Sequence, residues 1–211
     1  MPVNKTAELV KDWAEFEANH KSASLEDFCR YYLINKREKQ NMDGFLGGNV
    51  PPGREQMLIK LMGRVTAMYV TTAEFAFKQT GVEQFQEFTY LNSIHNLKMP
   101  RKTDVINENF MELSSGLLLI GRLKKRGWLK EYTDKNDRRS KRLELTQAGQ
   151  EILFKCYKLL HKVSAVFFKD LAPNDTQLCL HLLTPLEIKH ATGWQKTRSD
   201  GFKEMMAQVN I

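Results

Sequence analysis

Cysteine is scarce in this chain of 211 residues: Cys29, Cys156 and Cys179 stand far apart and odd in number. No C-x-x-C pair joins them, so neither a disulfide framework nor a zinc site fits. Each falls among apolar residues at helical spacing, which predicts small buried hydrophobes. No cluster of Lys, Arg or His flanks them closely enough to hold a thiolate, Cys29 beside Arg30 being the nearest exception. Long apolar runs are missing as well; none approaches the roughly 20 residues that span a bilayer. Residues 1–20 interleave Lys5, Glu8, Lys11 and Asp12 with the apolar positions, so no signal-peptide core is drawn there and the expected location is the cytoplasm, with no membrane partner. The chain also lacks a phosphate-cradling Gly loop, paired carboxylates in an apolar setting, a nucleophile with His and Asp at recognisable spacing, and metal-ligand clusters. His20, His95, His161, His181 and His190 are scattered, and read as surface or core-edge residues. No enzyme, cofactor or metal is expected.

What is present is positive charge in one place. Between Arg122 and Arg142 stand ten basic residues against three acidic ones (Glu131, Asp134, Asp137), which accounts for the whole net charge of +7. A polyanion therefore meets one basic segment on an otherwise balanced body. The segment does not follow one helix face. It continues through a helix end, an extended stretch, a polar turn and a second extended stretch.

Apolar spacing of three to four predicts a helix over 5–19 (Leu9, Trp13, Phe16) and a second from a Ser24/Asp27 cap to about Gln40. Between Asp43 and Gly53, Gly44, Gly47, Gly48, Pro51 and Pro52 mark a linker and a domain boundary. A long helix follows over 54–80, stopped by Gly81, then another over 82–96 before Pro100, and a short one capped by Thr103. The next covers about 112–126 and ends at Gly127. There the period changes to two: Leu129, Glu131 and Thr133 alternate with Lys130 and Tyr132, residues 134–137 supply turn chemistry, and alternation resumes over 142–145. Thr146 caps a helix reaching about Asp170; Pro173 and Asn174 break the chain; a last amphipathic piece contains Pro185 as a kink or restart, and the tail 191–211 has no clear pattern.

Three helices and a hairpin form the winged helix-turn-helix layout, in which the third helix enters the major groove and the hairpin reaches phosphate or the minor groove. The stretch LKKRGWLKEYTDKNDRRSKRLELTQAG, Leu123 to Gly149, resembles the MarR family of bacterial transcriptional regulators. The matching features are Leu123 with Gly127, the Asp134, Asp137, Arg138, Arg139 wing, and Leu145, Thr146 and Gly149 leading into a long helix. The expected fold is mostly α with a small β-hairpin wing and long dimerisation helices: an N-terminal helical extension over 1–50, a winged-helix domain over 54–190, and a tail over 191–211. The resemblance implies a homodimer built from the first and last helices of the domain, and in some members a response to small aromatic ligands or oxidants.

For DNA contact, Arg138 and Arg139 at the wing tip suit the narrow minor groove or a phosphate, since a guanidinium is permanently charged and weakly hydrated. Lys135 and Lys141 flank them, and Asp137 either orients an Arg or is a solvated turn residue. Arg122, Lys124, Lys125 and Arg126 fall at the helix C-terminal end, where phosphates lie. Only Ser114 and Ser115, after Glu112, are obvious polar base readers, because Leu113, Leu117, Leu118, Leu119 and Ile120 fill the rest of that helix. The leading expectation is a sequence-specific, homodimeric regulator of double-stranded DNA. The alternative is a winged-helix protein-interaction module that has lost DNA reading. Met57, Tyr69, Phe85 and Tyr90 are either core or, in this fold, the walls of an effector cleft.

Overall fold

The computed structural model describes residues 4–38, 53–134 and 140–206. The linker expected after Asp43 therefore lies outside the described residues as far as Pro52, as do the wing-tip positions Lys135, Asp137, Arg138 and Arg139. The chain divides into two compact units, 1–61 and 62–211.

In the first unit, α1 spans Lys5–Asn19 and α2 spans Leu25–Glu38. Asn4 starts α1: its side-chain oxygen accepts the N–H groups of Thr6 and Ala7 at 3.1 and 3.4 Å. Ser24 and Asp27 start α2 reciprocally, the Ser24 hydroxyl donating to Asp27 at 2.7 Å and accepting its N–H at 3.2 Å. These bonds favour the ionised carboxyl and hold Asp27 below the ordinary range. Phe16 and Phe28 are buried between the helices, with Trp13 edge-on to Phe28 at 4.9 Å and His20 stacked on Phe16 at 4.4 Å. Cys29 is exposed, against the expectation of burial, because this helix pair spends its inner positions on aromatic rings.

The unit boundary falls inside α3, Arg54–Phe77. A 3-10 turn over Lys78–Thr80 ends at Gly81, whose φ of 84° is the left-handed stop predicted for it. Then come α4 (Phe85–Leu97), α5 (Lys102–Glu108) and α6 (Leu113–Lys125). The cap of α5 is Arg101 and not Thr103: the Arg101 N–H donates to the Asp104 carboxylate at 2.8 Å, which moves the start two residues upstream. Gly127, at φ 74°, closes α6 and releases the chain into β1 (Leu129–Thr133), paired antiparallel with β2 (Lys141–Leu145). Leu129 pairs with Leu145 and Glu131 with Leu143, so the alternation turns Leu129, Leu143 and Leu145 into the core.

That core is continuous: Phe77, Tyr90, Leu91, Ile106, Leu119, Ile120, Leu123, Leu143 and Leu153 are all buried. Fully burying each such side chain contributes about 1.5–3 kcal/mol. Gly116 lets α6 approach α4 and α5 closely, since a Cβ there would lie 2.5 Å from Ile106 and 2.7 Å from the Tyr90 hydroxyl. Burial pushes that hydroxyl up to about 12.

Thr146 caps α7 (Gln147–Phe167), accepting the Gly149 N–H at 3.1 Å. Inside, Cys156 is buried against Thr80, and burial pushes its thiol up to about 11. The chain is broken between α7 and α8, and Pro173 opens α8 (Pro173–Met206), where its missing N–H costs nothing; α8 continues through Pro185 and into the region read as a patternless tail. Leu178, Cys179, Leu180, Leu182, Leu183, Leu186 and Ile188 are exposed along it. Among the described residues, no helix is long and apolar enough to cross a membrane.

Candidate nucleic-acid interface

The geometry of α6 follows from its burial. Gly116, Leu119, Ile120 and Leu123 face the core. At about 100° per residue, the stripe opposite is Ser114, Leu118, Gly121 and Lys125. All four are exposed, and Leu118 retains 72% of its surface. Ser115 and Arg122 flank the stripe on one side, Leu113, Leu117 and Lys124 on the other.

The basic residues at the end of α6 have separate fates. Lys125 is exposed and takes part in no ion pair among the described residues. Arg122 donates to the Gln84 side chain at 3.1 Å and remains exposed. Lys124 instead sits 3.0 Å from Glu131 on β1, whose other oxygen is 2.8 Å from Lys102 on α5. The Lys102 hydrogen bond, followed by that of Lys124, holds the Glu131 carboxyl below its ordinary range. Arg126 is committed inward: it bonds the Gly81 carbonyl at 2.8 Å, pairs with Glu83 and with the fully buried Glu87 (3.2 Å), and covers the Trp128 ring at 5.0 Å. Its guanidinium is thereby a strut between α6 and the α3–α4 corner, whereas position alone had placed it among phosphate partners.

The hairpin has its own anchor. Asp134, which the sequence assigns to turn chemistry, has a side chain only 3% exposed; it receives Arg142 at 2.6 Å and lies 3.9 Å from Arg101. Its N–H closes the hairpin on the Ser140 carbonyl at 3.0 Å. Arg142 also donates to the Met99 carbonyl at 3.0 Å, where Lys98 and Met99 take successive left-handed conformations with φ 51° and 61°. One carboxylate thus ties the base of the wing to the loop before α5. Lys141 bonds the Thr133 hydroxyl at 2.9 Å and remains exposed.

Four cations, Arg101, Lys102, Lys124 and Arg142, gather around the two carboxylates Glu131 and Asp134, and Arg122, Lys125 and Lys141 stand exposed on the same elements. Arg101 and Lys102 escaped the sequence reading. Their signal was two consecutive basic residues at the start of a helix, and the bond to Asp104 that locates that start was not apparent.

A cavity of about 760 Å³ lies beside α6, lined by Glu74, Glu83, Gln84, Gln86, Met111, Ser115, Leu118, Leu119 and Arg122. The aromatic residues considered as cleft walls are elsewhere. Tyr90 is fully buried, Phe85 stacks on Phe77, and Tyr69 bonds Ser164 at 2.9 Å with its ring against Phe167. Among the described residues no cluster of His, Cys, Asp and Glu could hold a metal ion.

No family model matches this chain, and no curated protein does. Solved structures do resemble it. A cysteine-to-serine mutant of MarR from E. coli, complexed with operator DNA, superposes with a TM-score of 0.57 at 20% identity, over 61% of this chain and 92% of that one. A MarR-family transcriptional regulator from Rhodococcus sp. RHA1 gives 0.58 at 16% identity, over 64% and 96%. BpsR of Bordetella bronchiseptica, whose DNA binding is regulated by 6-hydroxynicotinic acid, gives 0.58 at 19%, over 65% and 97%. A helical chain with one antiparallel hairpin, in this element order and at these scores, has the winged-helix fold of the MarR-type regulators.

Proposed function

We propose that this chain is a double-stranded DNA-binding transcriptional regulator that acts as a homodimer and reads a specific operator. The observation that carries the reading is the basic set on α6, α5 and the hairpin: Arg122, Lys125 and Lys141 stand exposed beside Arg101, Lys102, Lys124 and Arg142, which outnumber their two carboxylates. In the sequence the set extends through Lys135, Arg138 and Arg139, with Asp137 among them. The E. coli MarR structure was solved with operator DNA, which supports the same reading. α6 enters the major groove with Ser114 and Ser115 near the bases, and the wing reaches phosphate or the minor groove.

Dimerisation is supported by α8, whose apolar residues from Leu178 to Ile188 are exposed. A second copy covers such a surface, since a stable interface buries about 1,200–2,000 Å² in total. Two α6 helices related by a two-fold axis call for a near-palindromic operator with half-sites about one helical turn apart. A small aromatic effector fits the cavity beside α6, where it would touch Ser115, Leu118 and Arg122.

The second reading, a protein-interaction module, is favoured by the exposure of Leu118, at 72%, together with Leu113 and Leu117. Fluorescence polarisation against selected and random duplexes, at 50 and 200 mM salt, separates the two. A dimer neutralising about 6–10 phosphates loses roughly 1,000-fold or more in affinity over that range. Arg122→Ala and Lys125→Ala, two changes per dimer each, should lower the slope of log affinity against log salt by about 1.8. An affinity flat in salt, or no binding by a folded dimer, overturns the DNA reading.

A further inference from the structure

The stripe of α6 that faces away from the core is chemically unusual for a reading surface. In place of amides and guanidiniums it presents Ser114, then Leu118, then Gly121, with charge arriving only at Lys125. Leu118 is 72% exposed, so its isobutyl group has no role in this chain's packing. Gly121 is equally unexplained from within: a Cβ built there meets no atom within 4 Å. A glycine inside an exposed helix gives up stability relative to alanine, and a helix usually accepts that where another backbone or a ligand must come close. Basic residues frame the stripe, with Arg122 on one side, Lys124 on the other and Lys125 at its end. A polyanion is the occupant whose charge complements that frame.

We propose that α6 reads its operator through the C5-methyl groups of thymine, with Leu118 as the specificity-determining residue and Gly121 allowing the helix backbone to settle against the edge of the groove. This rests on the DNA-binding reading above and goes further, by naming the chemical group recognised. In the major groove the thymine methyl is the one apolar feature of the four base pairs, and an aliphatic side chain is its natural complement. Leu118 cannot donate or accept a hydrogen bond, so it gains nothing from guanine or adenine edges. The same surface accepts 5-methylcytosine, which carries a methyl at the same ring position.

The test uses the full chain and one duplex, selected from a random pool, prepared with thymine and again with deoxyuridine, which removes only the methyl groups. Burying one methyl changes an equilibrium by about fourfold, so two half-sites give a loss of about 15-fold on the uracil duplex. Leu118→Ala should bind the thymine duplex about as weakly as the wild type binds uracil, and should no longer distinguish the two. Because Leu118 lies outside the core, this variant keeps its fold and Tm. Gly121→Ala provides an independent check with opposite signs: Tm rises by about 2–4 °C, while DNA affinity falls by about tenfold or more through overpacking. Equal affinity of the wild type for both duplexes, or a Leu118→Ala protein that still prefers thymine, overturns the methyl-reading inference and leaves DNA binding intact. Absence of any salt-sensitive binding removes both.

Discussion

The buried carboxylate of Glu87 and its partner Arg126 offer a sharp test of how the end of α6 is held. Glu87 is fully buried and Arg126 is 25% exposed; one carboxylate oxygen receives Arg126 at 3.2 Å and the Glu83 N–H at 2.9 Å, while the other is buried with no partner among the described residues. Changing Arg126 to Met keeps most of the side-chain volume over Trp128 but leaves a buried charge with one N–H for company. Removing one partner of a buried pair costs about 3–5 kcal/mol. The remaining bond from Glu83 and the partial exposure of Arg126 place this case at the lower end, about 3 kcal/mol. That corresponds to a fall in Tm of roughly 6–12 °C for a chain of this size. The double variant Glu87→Gln/Arg126→Met should recover more than half of the loss, because no ionised group is then stranded.

Urea denaturation at a fixed protein concentration measures Arg126→Met, Glu87→Gln and the double variant, fixed because an oligomer's stability depends on concentration. Arg126→Met should also leave the salt slope of DNA binding unchanged. A single variant within about 0.5 kcal/mol of wild type, or a double variant costing the sum of the singles, would refute the assignment of Arg126 as a strut.

Two further outcomes are expected. Cys156, buried and with its thiol pushed up to about 11, should resist thiol reagents at neutral pH in the folded protein and react once denaturant is added, so that native titration returns at least one thiol fewer than the unfolded chain. Glu131 ionises below its ordinary 4.5 because Lys102 and Lys124 stabilise the carboxylate; its contribution is therefore fully present above that value and lost as pH falls through the lower folded one. Glu131→Gln should accordingly reduce stability at pH 7 and flatten the acid limb of a Tm-against-pH curve, and parallel curves for the two proteins would contradict this.

Much of the fold was legible because local chemistry decided it. Gly81 and Gly127 end their segments in left-handed conformations, Thr146 caps α7, and the period-two pattern of residues 129–133 and 142–145 becomes the hairpin. The misreadings share a cause, which is a partner distant in sequence or a rule of average behaviour. Arg126 is bound by Glu87, 39 residues away, and Asp134 gathers Arg101 from 33 residues upstream, so neither residue's neighbours disclosed its role. Cys29 and Cys179 follow the apolar helical pattern yet lie exposed, because periodicity gives a face and not what covers it. Pro185 reads as a kink or a restart, and α8 runs through it as one helix of 34 residues. The gathering of positive charge was legible in the sequence; which cations are held by carboxylates of the chain was not.

The corner between β1 and α7 is closed so tightly that it leaves no hinge. The Thr146 N–H bonds the Trp128 carbonyl at 3.0 Å, its hydroxyl donates to the Gly127 carbonyl at 2.6 Å, and a Cβ at Gly149 would fall 1.9 Å from the Trp128 oxygen. The end of α6 and the start of α7 must consequently turn as a single body, with the long helix as a lever arm. Twenty-one residues of α7 give an arm of about 32 Å. A tilt of about 10° imposed at the far end then carries the end of α6 roughly 5 Å, which under the proposed docking is nearly half the width of a major groove of about 12 Å.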